Sequence, residues 1–187
     1  MALPRRVDGR RLFLEATNID HAESIWKAKE SSLDDLRPWM DWADGDRDSV
    51  TVYAQRCQQR WSAGLEWNFT ILEGPDEVVG CTSIVNYDAR YRKAEVGYWI
   101  RSDKTGHGYA TEAVSALLAF GFEALGLHRA ELRCGVDNAR SIRVAEKLGF
   151  EREGLMRQVL RTSSKWYDAY LYAMLAGDTR PRLHLQP

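Results

Sequence analysis

The period of the apolar residues changes once along this chain, and that change limits the architectures it can adopt. Three segments, WNFTILE at 67–73, VVGCTSIVNY at 78–87 and KAEVGYWI at 93–100, have the pattern of successive strands. The turns between them, at GPDE and around DARYR, are short, so an antiparallel meander is the simplest connection. From Gly108 the repeat becomes helical, with Ala110, Ala113, Val114, Leu117, Leu118 and Phe122 recurring at steps of three and four up to Leu125. A sheet whose last meander strand runs into one strong amphipathic helix is the framework on which the rest must be hung.

Upstream, RLFLEAT at 11–17 has strand character, and Asn18 or Asp20 can cap a helix running to about Ser31 with Ile19, Ala22, Ile25 and Trp26 inward. A second helix is expected between Ser49 and Ala63 on Val50, Tyr53, Ala54, Cys57 and Trp61. The connection SSLDDLRPWMDWADGD is irregular because of its proline and glycine, yet it carries Trp39, Met40 and Trp42. Downstream, HRAELRCGV at 128–136 is a strand candidate and DNARSIRVAEKLGF a short helix with Ile142, Ala145 and Leu148 inward, closed by Gly149. Strand character returns at Phe150, around 156–161 and at 168–175. The class is mixed α/β without an internal repeat.

Composition narrows the possible functions. With 187 residues the chain can bury one core, so a single domain over 1–187 is expected, its core from about 10 to 177 and a flexible tail at 178–187. Lys and Arg number 26 against 27 Asp and Glu, which removes the broad positive field of a nonspecific nucleic-acid binder. Cys57, Cys81 and Cys134 are odd in number and widely spaced, so neither a disulfide framework nor a four-cysteine metal site is expected, and the compartment is read as reducing. No apolar run approaches 18 residues and the first residues lack the apolar centre of a secretory signal, so a cytoplasmic protein without membrane contact is expected. His21, His107, His128 and His184 have no compact ligand spacing, and no metal is expected.

The most informative run is AEVGYWIRSDKTGHGYATEA at 94–113. It leads from a strand through Thr105, Gly106, His107, Gly108, Tyr109 and Ala110 into the long helix. Glycines permit close backbone approach, and the first amides of a helix have no intrahelical partner, so this turn can bind a phosphate group or be an ordinary cap. It lacks the GK[ST] ending of a P-loop and the GxGxxG of a dinucleotide fold.

These residues, with AEVGYW at 94–99, VDNARSIRVAEKLGF at 136–150 and the late Tyr-Asp…Leu-Tyr segment, make the chain similar to the GNAT superfamily of N-acetyltransferases, most like its RimJ/RimL branch. The resemblance implies a central, mostly antiparallel mixed sheet flanked by helices and splayed between its fourth and fifth strands. It also implies acetyl-coenzyme A as donor, with its pantetheine arm in the splay. The superfamily phosphate motif is Gln or Arg, two residues, glycine, one residue, then glycine or alanine. Thr105, Gly108 and Ala110 fill those places, Thr105 being a departure. Backbone groups near Tyr98, Trp99 and Ile100 would pair with the arm and polarise the thioester carbonyl.

By the same resemblance Asn138 would contact the arm and Ser141 would protonate the departing sulfur. Read as residues alone, Asn138 is a helix cap and Ser141 a first-turn residue, and both readings can coexist. Glu95 is the side-chain candidate for a base, or else a structural carboxylate on the sheet. The glutamate that some RimL-like enzymes carry after LGF is absent from GLMRQVLR at 154–161. Cys134 alternates within a strand without a histidine partner, which favours packing over nucleophilic catalysis and direct attack in a ternary complex over a covalent intermediate. An α-amine, with a pKa of about 7.7–8.0, asks less of the enzyme than a lysine near about 10.4.

The acceptor is therefore expected to be a protein N-terminus, as of a ribosomal protein, or a small amine. A catalytically weak acetyl-coenzyme-A-binding module is the alternative from another class. Trp39, Met40, Trp42, Tyr87 and Trp99 are expected to border the acceptor, with core or dimer-contact roles as the competing reading. A homodimer is a further expectation.

Overall fold

The computed structural model describes residues 2–163 and 165–178. Apart from Asp178, the expected tail lies outside the described residues. Eight strands form one sheet: β1 (Arg6–Asp8), β2 (Phe13–Ala16), β3 (Trp67–Glu73), β4 (Glu77–Asp88), β5 (Lys93–Ile100), β6 (Arg129–Gly135), β7 (Glu151–Arg161) and β8 (Trp166–Leu175). Their order across the sheet is β1-β2-β3-β4-β5-β6-β8-β7, and β5 with β6 is the parallel pair. The meander of β3, β4 and β5 is antiparallel as its short turns require. Among the described residues no helix is long and apolar enough to cross a membrane.

The helices are α1 (Ala22–Glu30), α2 (Leu33–Leu36), α3 (Arg47–Ser62), α4 (Tyr109–Ala119) and α5 (Ala139–Leu148). Asn18, not Asp20, provides the first cap: its side chain accepts from the Asp20 amide at 2.8 Å and opens a single 3-10 turn that leads into α1. Asp46 caps α3 by accepting from the Ser49 amide at 2.8 Å, so that helix begins two residues before the expected Ser49. The long apolar repeat after Gly108 is α4 followed by a wider π turn over Phe120–Ala124. β1 has no counterpart among the expected elements. It is three residues long, with Arg6 and Asp8 exposed, too short for any alternation to register.

Alternation along the strands separates two apolar layers. Trp67, Phe69 and Ile71 join Val114, Leu117 and Phe120 in the core beneath α4, where Phe69 and Phe120 meet edge to face at 5.1 Å. Leu72, Val78, Cys81 and Trp99 pack on the other face with Ile25 and Ala28 of α1 and Val50 of α3. Each layer is sealed by apolar area from both sides, and burial of a full Val, Leu, Ile or Phe side chain stabilises by about 1.5–3 kcal/mol.

The β3–β4 register shifts between Ile71 and Leu72, and Gly80 faces Ile71 at that irregularity. A Cβ on Gly80 would stand 2.1 Å from the Trp99 carbonyl oxygen, a backbone atom of β5 that cannot swing away. Gly80→Ala should therefore lower stability by about 1–3 kcal/mol, read as a reduced urea midpoint, through overpacking between two central strands.

Candidate active site

β5 and β6 pair over only three positions, Lys93 with Arg129, Ala94 with Ala130 and Glu95 with Glu131. Beyond them β5 stays bonded to β4 as far as Ile100, and β6 follows β8 as far as Gly135. Two strands held by different neighbours part, and the gap between Val96–Ile100 and Leu132–Gly135 is the expected splay. It falls between β5 and β6 in chain order because β1 precedes the strands counted from sequence.

Side chains cross the gap. Arg133 Nε and Nη2 donate to Glu95 Oε1 and Oε2 at 2.8 and 2.6 Å, and Asn86 Nδ2 donates to Oε2 at 3.1 Å. Further along, Tyr98 Oη donates to Ser141 Oγ at 3.1 Å, and Cys134 Sγ lies 3.3 Å from the same Oγ. Burial pushes the Tyr98 phenol up, so its proton stays on oxygen. Asn138 Oδ1 caps α5 by accepting from the Ser141 amide at 3.1 Å, which fixes Ser141 in the first turn facing β5.

A cavity of about 850 Å³ occupies the opening and is lined by Glu95, Gly97, Tyr98, Trp99, Asn138 and Ser141 together with Trp39, Met40 and Trp42. Residues from opposite faces of the sheet share this lining because the sheet is open there. Trp42 leans on Trp99 with ring centroids 6.0 Å apart, and Trp39 meets Tyr167 at 6.1 Å while its carbonyl accepts from the Tyr167 hydroxyl at 2.8 Å. Gly135 lets both rings approach β6, since a Cβ there would lie 3.0 Å from Tyr167 and 3.1 Å from Trp39. Lys29, buried on α1, donates to the Gly45 carbonyl and holds the aromatic loop against the sheet. That burial draws its pKa down.

Tyr87 does not line this cavity, which corrects the sequence expectation. It packs edge-on against Trp67 at 5.1 Å, on the α4 side. Strict alternation from Ser83 and Val85 places it with the acceptor aromatics. The ladder breaks between Val85 and Asp88, where Asn86 has φ 53°, and the break turns Tyr87 to the opposite face.

The glycine turn stands at the head of α4. Gly106 and Gly108 have φ of 79° and 84°, conformations that suit glycine. Among the described residues, the amides of Gly106, His107, Gly108, Tyr109, Ala110 and Thr111 have no acceptor within the protein. Thr105 turns its hydroxyl back on the Ser102 carbonyl at 2.8 Å, so its side chain braces the turn. The Tyr109 hydroxyl donates to Glu73, and Lys104 Nζ reaches the same carboxylate at 2.6 Å; both contacts hold Glu73 below the usual carboxylate range. Arg101 binds the Val78 carbonyl and Glu77, anchoring the start of the turn to β4. Glu112, in the first turn of α4, is matched by Arg11, whose backbone amide and Nε donate to it at 2.6 and 3.0 Å and whose Nη2 donates to the His107 carbonyl at 3.0 Å. The turn thus offers amides and the positive end of a helix, which is the donor set an anionic diphosphate requires.

The family model described as the acetyltransferase (GNAT) domain matches residues 11–151. The chain belongs to the GNAT acetyltransferase family. It is 33% identical over 108 residues to the uncharacterized N-acetyltransferase p20 of Bacillus licheniformis, covering 58% of this chain and 61% of that protein. It is 32% identical over 100 residues to the ribosomal-protein-serine acetyltransferase of Escherichia coli, covering 54% and 56%. The matched part therefore spans less than two thirds of the length of either relative. The fold aligns with Mycobacterium smegmatis RimJ, a structure in complex with CoA-disulfide, at TM-score 0.84 and 29% identity over 92% of this chain and 88% of that one.

Within the GNAT frame, the contacts of Arg11, Glu73, Lys104 and Arg133 escape a reading by motif. Each is made across strands or across the chain, and no spacing announces it. Among the described residues no group of three or more His, Cys, Asp or Glu could hold a metal ion. The three cysteines are free and buried, and burial pushes the Cys57 thiol up to about 12 and the Cys134 thiol up to about 11. A thiol raised in this way is protonated at pH 8, whereas an unperturbed one near about 8.5 is partly thiolate. At pH 8 a disulfide reagent should therefore label the native GNAT domain about two orders of magnitude more slowly than the urea-unfolded chain, in which all three react.

Proposed function

We propose that the chain transfers an acetyl group from acetyl-coenzyme A to a primary amine, the N-terminal α-amine of a protein such as a ribosomal protein, by direct attack in a ternary complex. The observation that carries this reading is the run of unpartnered amides from Gly106 to Thr111 at the head of α4, opening beside the β5–β6 gap. The GNAT membership and the names of the relatives support it. The protein N-terminus is preferred over a small amine because, at neutral pH, about a tenth of an ordinary α-amine is already deprotonated.

In this mechanism the turn amides hold the diphosphate, and the free edge of β5 at Tyr98, Trp99 and Ile100 pairs with the pantetheine arm. The neutral amine attacks the thioester carbonyl, and β5 amides stabilise the oxyanion. As the carbon–sulfur bond breaks, Ser141 gives its proton to the sulfur and regains one from water, while Tyr98, by donating to Ser141 Oγ, orients that hydroxyl. Asn138 fixes Ser141 through its cap and can present its amide nitrogen to the arm. The proton lost by the amine leaves through Glu95 or water. Arg133 and Asn86 fill three of the roughly four acceptor sites of the Glu95 carboxylate, leaving one on Oε1. Cys134 packs behind Ser141 and takes no covalent part. The proposal includes a cytoplasmic homodimer, for which the sedimentation mass is the test.

Free-thiol release with acetyl-coenzyme A, tested on terminal peptides, amino acids and polyamines, measures the reaction. Ser141→Ala should cut turnover about a hundredfold with coenzyme A affinity little altered, and Asn138→Ala should weaken both. Wild-type turnover in both variants would remove their roles, and cofactor binding without release on any amine would leave a binding module. Glu95→Gln should lower turnover across pH 6–9, and a loss confined to the acid end would exclude Glu95 as an essential base.

A further inference from the structure

The floor of the cavity holds a polar group that the mechanism does not use. Asn68 of β3 pairs with Ser83 of β4, and Ser83 with Gly97 of β5, so the three stand in one row across the sheet. Asn68 lines the cavity, is 5% exposed, and its carboxamide has no hydrogen-bond partner among the described residues. The Ser83 hydroxyl beside it also has none and lines the same cavity. Gly97 adds no side chain, and a Cβ there would touch only Ser83 Oγ at 3.4 Å, so the row is open from the gap to Asn68. The carboxamide is accessible from the cavity, so a ligand seated there can pair with it directly.

The charged groups around this floor are already matched. Glu66 Oε1 has Arg60 Nε at 2.7 Å and Arg56 Nη2 at 3.5 Å, Glu95 is held by Arg133, and Lys29 donates to Gly45. Asp41, an exposed carboxylate of the lining, belongs to the aromatic loop and not to the sheet. Apart from the one Glu95 acceptor position assigned to the reacting amine, the hydrogen-bonding capacity left on the floor is neutral, and both a carboxamide and a hydroxyl can donate and accept.

We infer that Asn68, assisted by Ser83, determines acceptor specificity by binding an uncharged hydrogen-bonding group, a hydroxyl or carboxamide, carried on the residue that bears the reacting amine. The inference rests on the acetyl-transfer reading of this cleft. Adjacent strands lie about 4.8 Å apart, so an amine at the gap beside Gly97 presents its neighbouring side chain to Ser83 first and to Asn68 beyond. A second ammonium, as in a polyamine, meets no free carboxylate on this floor.

The test is equilibrium binding, to the coenzyme-A-loaded protein, of two tetrapeptides that differ only in beginning with serine or alanine. Wild type should bind the serine peptide about tenfold more tightly, the worth of one neutral hydrogen bond. Asn68→Ala should bring the serine peptide to the level of the alanine peptide, and Ser83→Ala should narrow the difference. Equal wild-type affinities, no binding of either peptide, or an Asn68→Ala variant that weakens both peptides alike overturns the assignment. Thermal melting checks the fold, and Asn68→Leu, closer in volume, serves if the alanine variant does not fold. Thiol release on the same peptides reads the chemistry separately. A serine preference in binding without release would sink the acetyl-transfer reading and leave Asn68 in its role, whereas release without preference would sink Asn68 alone.

Discussion

The loss of pairing between β5 and β6 after Glu95 and Glu131 is the constraint on which the site depends. Until that point the sheet is continuous and its two faces are separate compartments. Beyond it, Tyr98 and Ser141 from the α4 and α5 side can share a cavity with Trp42, Trp99 and Glu66 from the α1 and α3 side. A donor approaching from one face and an acceptor from the other meet only through such a gap. The Glu95–Arg133 pair sits where the strands begin to part and ties their side chains together across the opening.

Rigidity around the gap comes from polar contacts suited to a place where apolar packing is interrupted. Arg101 and Lys104 hold the glycine turn to β3 and β4 through Glu77 and Glu73, while Lys29 fixes the aromatic loop. The Arg101 and Lys104 ion pairs are partly exposed and worth about 0–1 kcal/mol each, so their part is to set positions and not to supply stability. Stability resides in the two apolar layers, whose residues come from the strands and helices that frame the site.

Much of this was legible from sequence because it depends on period. Strands 67–73, 78–87 and 93–100, the amphipathic helix after Gly108 and the cap at Asn138 follow from local pattern. What escaped follows from tertiary register. Tyr87 looks like a cavity residue by alternation until the break at Asn86 reverses its face. Arg133 meets Glu95 only because a crossover sets β6 parallel to β5 at three positions. Asn68 carries no motif at all; its place is apparent only when burial and the absence of a partner are seen together. α3 starts at Arg47, ahead of its apolar stripe, because the capping carboxylate of Asp46 can precede that stripe by several residues.

Arg11 and Glu112 carry one more consequence. A carboxylate in the first turn of α4 opposes the positive helix end that an incoming diphosphate would use, and the guanidinium from the far side of the chain restores the balance. Anion attraction at the turn is therefore a property of tertiary closure. Residues 104–112 excised as a short peptide would keep every glycine of the motif but leave Glu112 without its Arg11 partner, so the recognition element extends a hundred residues upstream of the letters that advertise it.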